Sequence, residues 1–180
     1  MKILLHCCCG PCAVYPVSRL RRQGHELRAY FSNHIHPFTE WQKRLETLQA
    51  WAAENDLPVI VDERYELVEF LQQAVFRESR RCLFCYRDRL EKSARLAQKS
   101  GFEAFTTTLL YSKFQQHETI RELGEELGRR YGIGFHYEDF RHGWKEGIAA
   151  SKAAGMYRQQ YCGCIYSEGD RYLGAKQMGY

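Results

Sequence analysis

"KILLHCCCGPC", residues 2–12, sets a short apolar run directly against four cysteines. Lys2–His6 reads as a buried strand, because an apolar run this short that ends at a Gly-Pro turn suits a strand covered on both faces. Beyond the turn, "AVYPVSRLRRQGHE" (13–26) reads as a helix closing at Gly24. Pro16 must then sit in its first turn or kink it. Working outward, "LRAYFSN" (27–33), "LPVIVDE" (57–63), "AFTTTLLYS" (104–112) and "IGFHYEDF" (133–140) read as further strands. Helical spacing is found between them over 36–56, with Thr39 as a plausible N-cap, and over 66–76, 81–102, 117–132 and 144–155.

This alternation predicts an α/β fold around a five-stranded, mostly parallel sheet of Rossmann-like type. Residues 1–180 are expected to form one α/β domain, with 141–180 as a helical C-terminal extension packed on it and completing the site. The tyrosine-rich remainder beyond residue 155 reads as irregular. In open parallel sheets the chemistry lies at the carboxyl ends of the strands, where the winding reverses. Nucleotide-binding relatives carry a glycine-rich phosphate loop after the first strand. Here thiols stand in that place.

The chain has 180 residues, 44% of them hydrophobic and 27% charged, with a net charge of +4. That length suffices for one substantial core. No apolar stretch approaches the ~20 residues of a membrane span. Met1-Lys2 and the brief apolar run after it are too short for a signal peptide, so a cytoplasmic, membrane-free protein is expected. In a reducing compartment, clustered cysteines point to metal binding or redox chemistry rather than to disulfide staples. The doublets Arg21-Arg22, Arg80-Arg81 and Arg129-Arg130 suit phosphate contacts or, more plainly, solvated helix ends.

The eight cysteines fall into three groups: Cys7, Cys8, Cys9 and Cys12; Cys82 with Cys85; Cys162 with Cys164. A C-x-x-C at a helix start presents two thiolates to one metal, and the helix dipole favours their charge. Two ligands from the first loop plus Cys82 and Cys85 would complete either a structural zinc site or a cubane iron–sulfur cluster. Thiols then remain over, and that surplus favours catalysis. "QYCGCIY" (160–166) has a C-x-C that can chelate a metal or cycle between dithiol and disulfide.

Five motifs occur in order: H-x-C-C-x-P-C (6–12), "FSNHIHPFTEWQKR" (31–44), R-C-x-x-C-Y-x-x-R-L (81–90), "TTTLLYS" (106–112) and Y-x-x-x-Y-C-G-C (157–164). Together they resemble the cobalamin-independent epoxyqueuosine reductases of the QueH family, and the resemblance spans nearly the whole chain. It implies a domain akin to the adenine-nucleotide alpha-hydrolase (PP-loop) type without the ATP loop. The implied reaction is removal of the epoxide oxygen from epoxyqueuosine at the wobble position of the tRNA anticodon, with an unidentified electron donor. By the same resemblance, Cys8, Cys9, Cys82 and Cys85 hold a 4Fe-4S cluster. Cys162 and Cys164 form a redox pair or, with Cys12, ligands of a second, mononuclear iron. Cys7 falls where the pattern is free. At "NHIHP" (33–37) the family more often reads N-P-N-I-H-P, so His34 carries no assigned role.

A nearby acid would protonate the departing oxygen, and His6, His36, Tyr111 and Asp139 lie near predicted strand ends. Tyr157, Arg158, Tyr161 and Tyr166 lie beside the C-x-C and could offer a stacking face to single-stranded bases. Two other readings compete. A tRNA sulfur-transferase would need an S-G-G-x-D-S loop after the first strand, which this chain lacks; a zinc-stabilised RNA-binding module would need no catalysis.

Overall fold

The structure is a computed structural model and describes residues 1–174, 178 and 179. Of the expected extension over 141–180, residues 175–177 and 180 lie outside the described residues. The strands are β1 (Lys2–His6), β2 (Glu26–Phe31), β3 (Val59–Val61), β4 (Ala104–Thr107) and β5 (Gly134–Phe135). The helices are α1 (Gly10–Arg22), α2 (Phe38–Glu54), α3 (Leu67–Ala74), α4 (Arg81–Lys99), α5 (His117–Tyr131), α6 (Trp144–Ala153) and α7 (Ile165–Tyr172). Among the described residues, no helix is long and apolar enough to cross a membrane.

The sheet order is β3-β2-β1-β4-β5. Every pairing is parallel, so the sheet is wholly rather than mostly parallel. β1 lies at the centre, with His6 opposite Tyr30 on β2 and Thr107 on β4. Right-handed crossovers put α1 and α2 on one face, and the reversal between β3 and β4 puts α3, α4 and α5 on the other. α1 packs on α2 and α6, and α4 on α3 and α5. β1 is covered on both sides, which is why Ile3, Leu4, Leu5 and His6 are all fully buried. The winding reverses between β1 and β4, so the crevice opens at His6 and Thr107.

Several boundaries depart from the sequence pattern, each for a local reason. α1 begins at Gly10, with the Cys9 thiol as its N-cap, so Pro16 falls in the second turn and Pro11 in the first. α2 is capped by Pro37 rather than Thr39, because the Pro37 carbonyl already accepts from Glu40 and Trp41 N–H. The fourth strand stops at Thr107, whose hydroxyl caps a 3-10 turn over Thr108–Tyr111. β3 and β5 are shorter than expected, since each edge strand has one neighbour to define it. The segment expected to be irregular contains α7, which starts directly after Cys164.

Candidate active site

β1 delivers the first thiols. Its last residue, His6, pairs through Nδ1 with Thr107 Oγ1 at 2.8 Å, and its Nε2 lies 3.1 Å from the Ser32 carbonyl and 3.3 Å from Arg89 Nε. Burial and the neighbouring guanidinium push its pKa down to about 3, so the ring is neutral and serves as a post. Cys7 continues the ladder through its N–H to Tyr30, and its buried thiol turns to the Leu5 carbonyl. Burial pushes that thiol well up, as suits a packing residue.

Cys8, Cys9 and Cys12 form a compact group whose Sγ atoms all lie within 4.8 Å of one another, and this group could bind a metal. Thr108 Oγ1 accepts from the Cys8 N–H at 3.0 Å and donates to Cys8 Sγ at 3.3 Å. Hydrogen bonds with the Cys12 and Cys9 thiols, aided by the Arg89 charge, hold Cys8 well below the usual thiol range. Cys9 and Cys12 are pushed the opposite way, Cys9 chiefly by burial and Cys12 chiefly by its bond to Cys8. Of the three sulfurs, Cys8 is the one whose surroundings favour the thiolate. Gln159 Nε2 donates to Cys9 Sγ at 3.0 Å and to Cys12 Sγ at 3.5 Å.

α4 supplies Cys82 from its first turn and Cys85 from the start of its second. Cys85 is pushed up to about 12 by burial, and Cys82 is raised by burial and by the facing Cys162. One turn on, Arg89 reaches Cys85 Sγ with Nη1 at 3.5 Å, while its Nη2 donates to Asn33 Oδ1. Arg89 is 5% exposed and has no carboxylate partner among the described residues. A buried guanidinium without a carboxylate needs another anion, and thiolates are the groups that face it.

The third group arrives on a strap before α7. Arg44, 1% exposed and paired with Glu40 at 2.7 Å, donates to the carbonyls of Cys162 at 2.7 Å and Tyr161 at 3.0 Å. His36 N–H donates to the Gly163 carbonyl at 2.8 Å, and the Tyr161 hydroxyl donates to the His36 carbonyl. Gly163 passes so close to the segment before α2 that a Cβ would meet Ile35 Cγ1 at 3.3 Å, with Arg44 Nη1 of α2 at 3.4 Å. Cys162 is exposed at the rim, yet burial around its thiol raises its pKa, and Gln115 Nε2 donates to its Sγ at 3.3 Å. Arg44→Met would leave Glu40 buried without its partner and free the strap carbonyls. A loss of about 3–5 kcal/mol is expected. Urea unfolding should show it, with Arg44→Lys recovering part.

Five thiols, Cys8, Cys82, Cys85, Cys162 and Cys164, line one small cavity of about 30 Å³, together with Arg44, Arg89 and Gln115. Beside it opens a cleft of about 510 Å³ that shares Cys8, Arg89, Gln115 and Cys162 and adds Cys12, Tyr111, Trp144, Arg158 and Tyr161. Of the four residues expected at a cluster, Cys8, Cys82 and Cys85 thus share the cavity. Cys9 stands behind Cys8 with Cys12. Arg158 and Tyr161 line the cleft, whereas Tyr157 gives its hydroxyl to Glu40 Oε2. The donor set is all sulfur, soft and faced by two buried arginines, which fits a thiolate-held metal centre.

Of the four acids considered from sequence, His6 stands at the base of the thiol site beside Arg89 and Tyr111 lines the cleft. His36 is held at about 4 by burial, Asp139 at about 2 by its bonds to Arg141, and the Tyr111 hydroxyl donates to the Trp144 carbonyl. A separate group, His34, Glu66 and Asp88, converges closely, but Lys92 already bridges its two carboxylates. The arginine doublets do not line the cleft: Arg21 caps α2, Arg22 pairs with Glu146, Arg81 with Asp170 and Arg130 with Glu91. Sequence reading missed Arg44 and Arg89 as site residues, although both lie within motifs it singled out. Arg89 was findable as i+4 from Cys85 on one helix face; Arg44 acts across 118 positions.

The family model described as Epoxyqueuosine reductase QueH matches residues 3–170. A protein named Epoxyqueuosine reductase QueH from Dehalococcoides mccartyi is 35% identical over 95% of this chain and 94% of its own length. Proteins of the same name from Thermotoga maritima and Haemophilus influenzae are each 33% identical over 92% of this chain, covering 89% and 71% of their own lengths. The fold also matches the crystal structure of a predicted subunit of tRNA methyltransferase from Methanocaldococcus jannaschii. That match has a TM-score of 0.50 at 13% identity, over 87% of this chain and 89% of that one.

Proposed function

The chain belongs to the epoxyqueuosine reductase QueH family and is an oxidoreductase, and from that premise we propose that it reduces epoxyqueuosine to queuosine at the wobble position of a tRNA anticodon. The observation that carries this reading is the convergence of five thiols from three chain segments on one cavity at the edge of a large cleft. The overall change takes two electrons and two protons, opens both C–O bonds of the epoxide, forms the alkene and releases the oxygen as water. The electrons come from a separate donor.

In this reading Cys8, Cys9, Cys82 and Cys85 hold a 4Fe-4S cluster. Cys12, Cys162 and Cys164 serve beside it, as ligands of a second iron or, for Cys162 and Cys164, as a redox pair. Bound there, the cluster supplies electrons singly and an iron ion supplies Lewis acidity. The protein's own residues do the rest. Arg89 places a fixed positive charge against the thiols, offsetting the cost of gathering anionic sulfur in a buried space, while Arg44, paired with Glu40, holds the strap that carries Cys162. Thr108, Gln115 and Gln159 donate to individual sulfurs and so orient them. Arg158 and Tyr161 on the cleft wall, with Tyr157 outside it, contact the RNA.

The test is anaerobic incubation of reconstituted protein with a chemical reductant and an anticodon stem-loop carrying epoxyqueuosine. Loss of one oxygen by mass spectrometry supports the reading; unchanged RNA overturns it. Iron with acid-labile sulfide is expected on metal analysis, and zinc without sulfide would count against the cluster.

RNA affinity should depend on salt. With about three phosphates neutralised, each contributing a slope of about −0.7, raising salt from about 50 to about 200 mM should weaken stem-loop binding on the order of tenfold. A fluorescence-anisotropy titration that gave the same affinity at both concentrations would remove phosphate contacts as a main source of binding.

A further inference from the structure

One wall of the cleft is an aromatic run unrelated to the thiols. Tyr15 stacks on Tyr111 at 6.3 Å between ring centroids, Tyr111 lies 5.1 Å from Trp144, and Phe114 meets Trp144 edge-on at 5.9 Å. Two glycines let α6 and the turn before it lie on this layer. A Cβ at Gly143 would fall 2.1 Å from the Tyr15 ring, and one at Gly147 2.3 Å from the Tyr111 hydroxyl. The Tyr111 hydroxyl in turn donates to the Trp144 carbonyl at 3.1 Å, fixing the start of α6. The wall is thus held rigidly from behind.

Its outer end is left uncovered. Phe114 is 84% exposed at the cleft, a cost a folded chain rarely carries for packing alone. Lys113 Nζ lies 5.8 Å from the Trp144 ring centroid, so a cation flanks the aromatic surface. Arg158 and Arg171 line the same cleft, and Arg158 Nη1 is buried with no hydrogen-bond partner among the described residues. An aromatic shelf flanked by cations is what a single-stranded nucleotide uses: the base stacks and the phosphates find the charges. Cys8, Cys12 and Cys162 line the same cleft, where a group carried on the base would meet them.

We propose that Trp144 and Phe114 are the stacking wall that receives the modified purine-like base of the anticodon nucleotide, with Arg158 contacting the adjoining backbone. The assignment rests on the epoxyqueuosine reading, whose substrate is an RNA base. It moves the stacking role from the C-terminal tyrosines to residues of α6 and the loop before α5.

Tryptophan fluorescence tests it directly, because Trp41 and Trp51 are buried at 6% and 9% exposure and Trp144 alone lies in the cleft. The probes are an anticodon stem-loop carrying epoxyqueuosine and the same stem-loop with an abasic wobble site. The first should quench emission and bind roughly tenfold or more tightly than the second, as loss of one stacked base implies. Variant affinities are read from the fluorescence anisotropy of labelled stem-loops, which needs no tryptophan: Phe114→Ala, at a position too exposed to disturb folding, and Trp144→Leu should each remove most of that difference, and Trp144→Phe should restore much of it. If the base-dependent difference persists in Phe114→Ala and Trp144→Leu, the wall is wrong and the reductase reading stands. If neither stem-loop binds the parent protein, the tRNA reading itself fails and takes the wall with it.

Discussion

Cys82→Ala and Cys85→Ala are each expected to purify with a quarter or more of the iron missing and to lose most of their activity. Both thiols leave the N-terminal end of α4 and line the cavity shared with Cys8, Cys162 and Cys164. Removing a direct ligand should exceed the ~10–100-fold that an outer-shell partner typically costs, so activity should fall at least about 100-fold. Arg89 makes the effect steeper. Its guanidinium touches Cys85 Sγ and has no carboxylate partner among the described residues, so loss of the sulfur leaves this buried charge with only the neutral Asn33 and His6 beside it on that side. Cys7→Ala is the internal control: its thiol faces the Leu5 carbonyl in the core, so that variant should keep its iron and lose roughly 1 kcal/mol of stability. Iron and sulfide assays on anaerobically reconstituted proteins decide the matter. Full cluster content in Cys82→Ala and Cys85→Ala would refute the ligand assignment.

A Cys162→Ser, Cys164→Ser double variant should fold, keep its cubane absorption and fail to convert epoxyqueuosine. The strap that carries these residues is held by its backbone, not by its sulfurs. Arg44 grips the carbonyls of Tyr161 and Cys162, His36 grips that of Gly163, and the Gly163 N–H donates to Ser167 Oγ at 3.0 Å. Serine is nearly isosteric and still accepts from Gln115, so packing should change little. It is a poorer nucleophile and a harder ligand than a thiolate, so chemistry is the property that changes. Two results would overturn this division of labour. Turnover near the parent's makes the pair dispensable. Loss of the cluster with the activity makes Cys162 and Cys164 part of its support, which their place in the same cavity as Cys82 and Cys85 renders a sharp alternative.

The α/β class and the buried first strand were legible because both rest on short-range signals. Strand and helix periods span a few residues each, and a short apolar run before a turn implies burial on both faces. The three cysteine groups could likewise be placed at element ends, since Cys82 and Cys85 open a helix and Cys8 and Cys9 follow a strand. Termini were less legible where a side chain or a neighbouring strand sets the end. Thr107 stops β4 with its hydroxyl, and edge strands β3 and β5 extend only as far as their one neighbour allows.

By itself, then, the sequence determined that a parallel sheet would bring thiols to its crevice, for the order of elements and the right-handedness of their connections leave few alternatives. Only the tertiary structure decided which thiols share a space. Cys8 faces Cys82, Cys85, Cys162 and Cys164, while its neighbour Cys9 turns to cap α1 and meets Gln159. It also decided that Arg44 on α2 holds a strap 118 positions away. Adjacent residues on a tight turn point in different directions, and long-range closure depends on how whole faces pack. Neither is encoded in the spacing of the cysteines along the chain.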